Sequence, residues 1–209
     1  MGRLINGANG PFIGKVGAII GYTVNGVGYI KGLYKKRTKA PTEKEALNRK
    51  KFAAAQKWLQ PIQAYARAGF KGYNERFQGF VAAKSFLLKN ALNVIDGEIV
   101  IDPALVKISF GNLPLPENIE CVFQDPYTFR FSWATELSEG KVHDQVMVLA
   151  HHVEGCDECG IVYGSYRNTG EQLVPVGDPT GKTFHIYLAF IAADRSRQSD
   201  SVYLGKFEF

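Results

Sequence analysis

The residues best equipped for chemistry lie together at His151-His152-Val153-Glu154-Gly155-Cys156-Asp157-Glu158-Cys159. Two thiolates at C-x2-C spacing with an imidazole close by are donors for a tetrahedral zinc site, and the same thiols could act as a redox pair. His152, Cys156 and Cys159 are the candidate ligands. Two features count against the site. Adjacent histidines on a strand point to opposite faces, so at most one reaches a shared centre, and no second C-x2-C follows at ribbon spacing. The competing reading is a hairpin whose turn, within residues 153–161, happens to carry two cysteines, and no metal or cofactor is expected. Three cysteines in all are too few for a disulfide framework and fit a reducing compartment.

Elsewhere the reactive groups do not converge. His143-Asp144, with Ser132 and Ser138 nearby in sequence, lacks the strained turn that a nucleophile elbow requires. His185 stands among apolar strand neighbours and reads as a surface or structural residue. Gly14, Gly17, Gly21, Gly28 and Gly32 satisfy neither G-x-x-x-x-G-K-[ST] nor a G-x-G-x-x-G that opens a helix, so no phosphate loop is expected. The sequence predicts a protein that is not an enzyme and takes no small-molecule substrate.

Charge is the stronger signal. Residues 1–95 carry 17 Lys/Arg against 3 Asp/Glu and residues 96–209 carry 8 against 17, so the net charge of +5 is a cancellation of +14 and −9. Lys35, Lys36, Arg37 and Lys39 form a cationic neck with no acid near it. Together with Lys15, Lys31, Arg49, Lys50 and Lys51 they are the candidate residues for binding a polyanion or an acidic partner, with phosphate contacts that weaken as salt rises. The competing reading is a solvated linker.

These residues must be positioned by the elements around them. Residues 1–13 read as a glycine-rich arm. Asn25-Gly26 between two β-rich runs predicts a hairpin with strands over 15–24 and 27–34, its glycines marking bulges or the close approach of another backbone. Pro41-Thr42-Glu43-Lys44-Glu45 is a capping box that opens a helix to about residue 60, with Ala55, Trp58, Leu59 and Ile62 on its apolar stripe. A second segment ends near Gly69. A third helix is expected over 73–92, with Phe77, Phe80, Val81, Leu87 and Leu88 inward as core rather than as a stacking platform for bases.

Past Val94 the period becomes two. Strands are expected at 98–101, 105–110, 119–123, 127–134, 145–153, 161–166, 183–193 and 201–207, with Tyr127, Phe129, Phe131 and Trp133 on one inner face. The fold class is α+β. It comprises a basic hairpin-plus-helices anchor domain over 1–95 and an acidic domain over 96–209 that forms an immunoglobulin- or fibronectin III-like antiparallel β-sandwich. No secretory h-region and no membrane span are visible, which predicts a soluble protein kept in the cytoplasm or packaged in a particle.

At Phe12-Ile13-Gly14-Lys15-Val16-Gly17, Gly21, Tyr29-Ile30, Pro41-Thr42, Arg49 and Phe52, then at Asn112-Leu113-Pro114 and Ser201-Val202-Tyr203-Leu204-Gly205, the chain resembles an uncharacterised family of Bacteroidetes proteins of unknown function. That likeness spans nearly the whole chain and implies one architecture rather than an activity. The front third also resembles phage and prophage structural modules whose helix opens with P-T-x-x-Q, with Glu45 here in place of the glutamine. The functional expectation is a non-enzymatic structural or adaptor protein of a phage particle or related assembly, whose partners are other assembly proteins or a second copy of the chain. The alternative is a nucleic-acid-binding protein using the neck and the helix at 42–60.

Overall fold

Glycine backbone geometry divides the front of the chain into more strands than the hydrophobic pattern suggests. The computed structural model describes residues 2–4, 10–24, 26–35, 38–74, 76–136, 141–155 and 157–209. The chain forms two compact units, Met1–Glu43 and Lys44–Phe209. In the first, β1 (Gly2–Leu4), β2 (Gly14–Val16), β3 (Ile19–Val24) and β4 (Val27–Gly32) pair antiparallel in the order β1-β4-β3-β2. The single strand expected over 15–24 is broken because Gly17 takes φ +56° in a tight turn that pairs Val16 with Ile19. The Asn-Gly turn closes as expected, with Val24 opposite Val27 and Gly26 at φ +77°, although Asn25 lies outside the described residues. Within the expected arm, residues 2–4 are a strand on the edge of β4.

Two glycines of this sheet are there for space. A Cβ on Gly21 would sit 2.2 Å from the Phe12 carbonyl oxygen, and one on Gly28 would sit 2.3 Å from the Pro11 Cβ. The Pro11-Phe12 segment therefore packs directly on the glycine-lined face, as the expectation of a close backbone approach required. Gly21→Ala is expected to push this segment away at a cost of roughly 1–3 kcal/mol, as for other overpacked sites. The readout is hydrogen exchange, with protection lost at the amides of β3 and β4 and retained in the second unit.

The second unit begins with α1 (Glu43–Leu59), α2 (Gln63–Gly69) and α3 (Phe80–Asn90). The last is shorter than expected, because Gly79 takes φ +60°, which no α-helix accommodates. Tyr73 and Phe77 consequently pack from a loop against the core, and Val81, expected inward, is exposed. A hairpin of β5 (Leu92–Ile95) and β6 (Glu98–Ile101) follows, turning at Asp96 and Gly97, both at positive φ. The strand expected over 105–110 is instead a 3-10 turn at Pro103–Leu105 and an unladdered segment.

Two sheets complete the unit. One holds β10 (Asp157–Ile161), β9 (Gln145–His152), β12 (Thr183–Ile191) and β13 (Val202–Glu208) in that order; the other runs β11 (Glu171–Pro175), β8 (Thr128–Ser132), β7 (Glu120–Asp125). β10 and β11 replace the single strand expected at 161–166. Phe129, Phe131 and Trp133 alternate inward as expected, whereas Tyr127 belongs to the β7–β8 turn and is exposed.

The expected boundary at 95/96 is not where the chain divides. Met147 and Leu149 on β9, with Tyr187, Ala189 and Ile191 on β12, share one core with Ala55, Trp58, Leu59, Ala66 and Leu87 of the three helices. The alternate residues Val146, Val148, Ala150, Ile186, Leu188 and Phe190 share a second core with Phe129, Phe131 and Val174 of the smaller sheet. Over 146–150 and 186–191, β9 and β12 are thus apolar on both faces and have no side left for water. The change from basic to acidic composition falls inside one body, and Lys44–Phe209 as a whole holds 18 Lys/Arg against 19 Asp/Glu.

Beside the second core is a buried ion pair. Arg167 and Asp144 are 2% and 0% exposed, with Arg167 Nε 3.5 Å from Asp144 Oδ2. Arg167 Nη2 donates to the Pro114 carbonyl at 2.5 Å, and its guanidinium carbon lies 4.5 Å from the Phe190 ring centroid. The Trp133 indole N–H donates to the Arg167 carbonyl at 2.7 Å, which ties the core tryptophan to the same loop. Burial pulls the guanidinium pKa down, and the Asp144 carboxylate opposes that shift.

Candidate functional site

The two-residue turn at 25–26 sets the register of the first sheet, and that register gathers its functional side chains. Directly opposed residues share a face, so Lys15, Ile20 and Lys31 lie together, followed by Tyr22 with Tyr29 and Val24 with Val27. The opposite face is the glycine-lined one against Pro11 and Phe12. The Tyr22 and Tyr29 rings stack with centroids 5.7 Å apart and planes at 21°. Lys31 Nζ stands 5.2 Å from the Tyr22 centroid and 4.8 Å from that of Tyr34, and donates to the Tyr34 hydroxyl at 3.4 Å. Tyr34 is 86% exposed. An ammonium held over aromatic faces keeps its charge while the rings offer stacking area, a combination suited to phosphates joined to planar groups or to acidic side chains.

The structure separates the predicted cations into two sets. Lys15 and Lys31 lie on this face, and Lys35 and Lys39 are exposed in the segment after β4, while Lys36 and Arg37 lie outside the described residues. Arg49, Lys50 and Lys51 sit on α1 and belong to the second unit, with Arg49 and Lys50 exposed and Lys51 half-buried. Residues 1–43 alone hold 7 Lys/Arg against one acid, Glu43. The tyrosines were absent from the predicted set. A signal for them existed, because a two-residue turn at 25–26 places 22 opposite 29 and 20 opposite 31 by counting alone.

The histidine-cysteine cluster is a hairpin, tighter than expected, with His152 opposite Asp157 and Cys159 opposite Ala150. His152 Nδ1 lies 3.0 Å from the Thr183 carbonyl oxygen, His151 packs edge-on against Trp58 at 4.9 Å, and Cys156 lies outside the described residues. Among the described residues no three His, Cys, Asp or Glu side chains come together as a metal site would need. Away from this cluster, Cys121 is a free thiol whose pKa is pushed up to about 12 by burial. His185 is half-buried with Nδ1 3.0 Å from the Tyr203 hydroxyl; burial first and the Lys206 ammonium second lower its pKa, which favours the neutral ring. It borders a cleft of about 600 Å³ with Trp58, Ile101, Val153, Lys206 and Glu208. His143 is exposed against Tyr166, Asp144 is taken up by Arg167, and Ser138 lies outside the described residues.

The described residues thus define a mixed α+β protein with three helices and several antiparallel sheets. Residues 11–205 match the model of a family of unknown function, DUF6266, and the chain belongs to that family. No curated protein matches it. Among solved structures, the fibronectin type III domain of the human collagen alpha-1(XX) chain is similar at 15% identity and a TM-score of 0.35, over 46% of this chain and 85% of that one. No helix among the described residues is long and apolar enough to cross a membrane.

Proposed function

We propose that the protein is a non-enzymatic structural or adaptor component of a multi-protein assembly, anchored by its basic N-terminal unit to an acidic partner and presenting its second unit outward. The observation that carries this reading is the gathering of Lys15 and Lys31 on one face of a small sheet, in a unit with a single acid in 43 residues. A phage particle is one such assembly, and that setting rests on the resemblance of the front third alone. We further propose that the two larger sheets stack as a fibronectin III-like sandwich, a reading supported by side-chain contacts such as Phe129 with Phe184 and Trp133 with Phe190.

A second reading, single-stranded nucleic acid as the anionic partner, is favoured by the stacked Tyr22 and Tyr29, since sheet-borne rings are a common platform for bases. One titration separates the two. The full chain is mixed with labelled poly-glutamate and with a labelled single-stranded oligonucleotide across a salt series. Tyr22→Leu with Tyr29→Leu is expected to leave poly-glutamate binding intact under the adaptor reading. Under the second reading it weakens oligonucleotide binding by roughly 1–3 kcal/mol per lost stack. Lys15→Gln with Lys31→Gln should flatten the oligonucleotide salt slope by about 1.4. Absence of binding to either polyanion at low salt sinks both readings.

A further inference from the structure

The second unit carries a separate concentration of positive charge that the anchor does not use. A cleft of about 440 Å³ is bordered by Arg67, Lys71 and Arg195 with Tyr163 and Gln198, and no carboxylate lines it. We propose that this cleft is an oxyanion site that takes a phosphoryl group.

Its cationic groups come from distant parts of the chain and are held by specific contacts. Arg195 takes φ +59°, a conformation uncommon for a side chain of this size. Its guanidinium carbon lies 3.9 Å from the Tyr163 ring centroid, while Nη2 donates to Gln145 Oε1. The Arg195 carbonyl accepts from Lys71 Nζ at 2.9 Å, which brings the ammonium to the same turn. Gln198 Nε2 donates to the carbonyls of Lys71 and Phe110, each at 2.9 Å, and so fixes the backbone that carries Lys71. Arg67 is exposed in the last turn of α2.

The neighbouring acids are engaged elsewhere. Asp194 accepts from the backbone and hydroxyl of Ser196, and Asp200 pairs with Lys107 and accepts from the Gly111 amide. Among the described residues none of the three cations has a carboxylate partner. A basic residue in the last turn of a helix complements the carbonyl dipoles there, which accounts for Arg67 but not for Arg195, contributed by a different part of the chain. Like charges gathered in one concavity repel until an anion joins them. The exposed Arg67 fork and the Lys71 ammonium, beside the charge of an Arg195 guanidinium whose Nη1 and Nη2 already donate to the Ala192 carbonyl and Gln145 Oε1, match the several oxygens and double charge of a phosphoryl group better than a single carboxylate.

The test is an amide-resolved NMR titration of the full chain with inorganic phosphate and, separately, phenyl phosphate, against sodium chloride at matched ionic strength. Saturable shifts at Lys71, Tyr163, Arg195 and Gln198 are expected with both phosphates and not with chloride. Tighter binding of phenyl phosphate points to a phosphate ester as the natural ligand, and equal binding to free phosphate. Arg67→Gln and Lys71→Gln remove exposed side chains and should keep the fold, as the remaining resonances will report. Each should weaken binding about tenfold. Chloride reproducing the shifts, or the double variant binding as tightly as the parent, overturns the proposal.

Discussion

Arg167→Met is expected to lower the free energy of unfolding by about 3–5 kcal/mol, because it leaves the Asp144 carboxylate charged and buried without its counter-ion. Asp144 is fully enclosed. Its Oδ2 accepts from the Lys141 amide at 2.9 Å, while Oδ1 has no hydrogen-bond partner among the described residues. The backbone around it is no easier to move, since the Arg167 amide donates to the Asp144 carbonyl at 2.7 Å and Trp133 is anchored on the Arg167 carbonyl. Set against the roughly 5–15 kcal/mol that holds a typical domain together, the loss is severe. Removing both charges, as Arg167→Met with Asp144→Leu, should recover most of it, because two apolar groups of similar volume avoid desolvating an ion. Urea unfolding with an unchanged m value is the measurement. A single-variant loss below about 1 kcal/mol would show that the pair is not energetically buried.

The second large effect concerns where the chain can be cut. A chain beginning at residue 41, which retains Thr42 at the start of α1, is expected to unfold in one cooperative transition, whereas residues 96–209 alone are expected not to fold. Without the helices, Met147, Leu149, Tyr187 and Ile191 would face water from β9 and β12. At about 1.5–3 kcal/mol each that is on the order of 10 kcal/mol, comparable with the whole stability of a domain. Within the intact chain, Leu149→Ala should cost about 2–5 kcal/mol and leave the transition single. A dispersed spectrum and cooperative melting of residues 96–209 would refute the shared core.

Much of this was legible in advance, and the failures have particular causes. The capping box at Pro41 to Glu45 and the stripe through Trp58 and Ile62 located α1, because helix starts and periodicity are local properties. The Phe129 to Trp133 alternation is legible for the same reason. The break at Gly17, the late start of α3 at Phe80 and the hairpin at Asp96-Gly97 were missed, since each depends on a positive φ that composition only permits. The boundary expected at 95/96 fails because the change of charge there coincides with no break in the hydrophobic core. The uninterrupted apolar run over 146–150 already signalled a strand buried on both sides, which requires a second layer beyond the smaller sheet.

Of the candidate site, the sequence by itself determined that the N-terminal segment is cationic and that its glycines mark either bulges or a close backbone approach. Counting from the turn at 25–26 would also have paired Tyr22 with Tyr29. The apolar runs at 146–150 and 186–191 likewise carry in the sequence a preference against water on either face, because a side chain's burial preference travels with the residue. Only the tertiary structure decided which distant segments meet. It separated Lys15 and Lys31 from Arg49, Lys50 and Lys51 into different units, joined Arg67 and Lys71 to Arg195, and matched Asp144 with Arg167. The reason is physical: charge and hydropathy are properties of single residues, whereas a site is a set of distances, and distances between remote residues are set by packing.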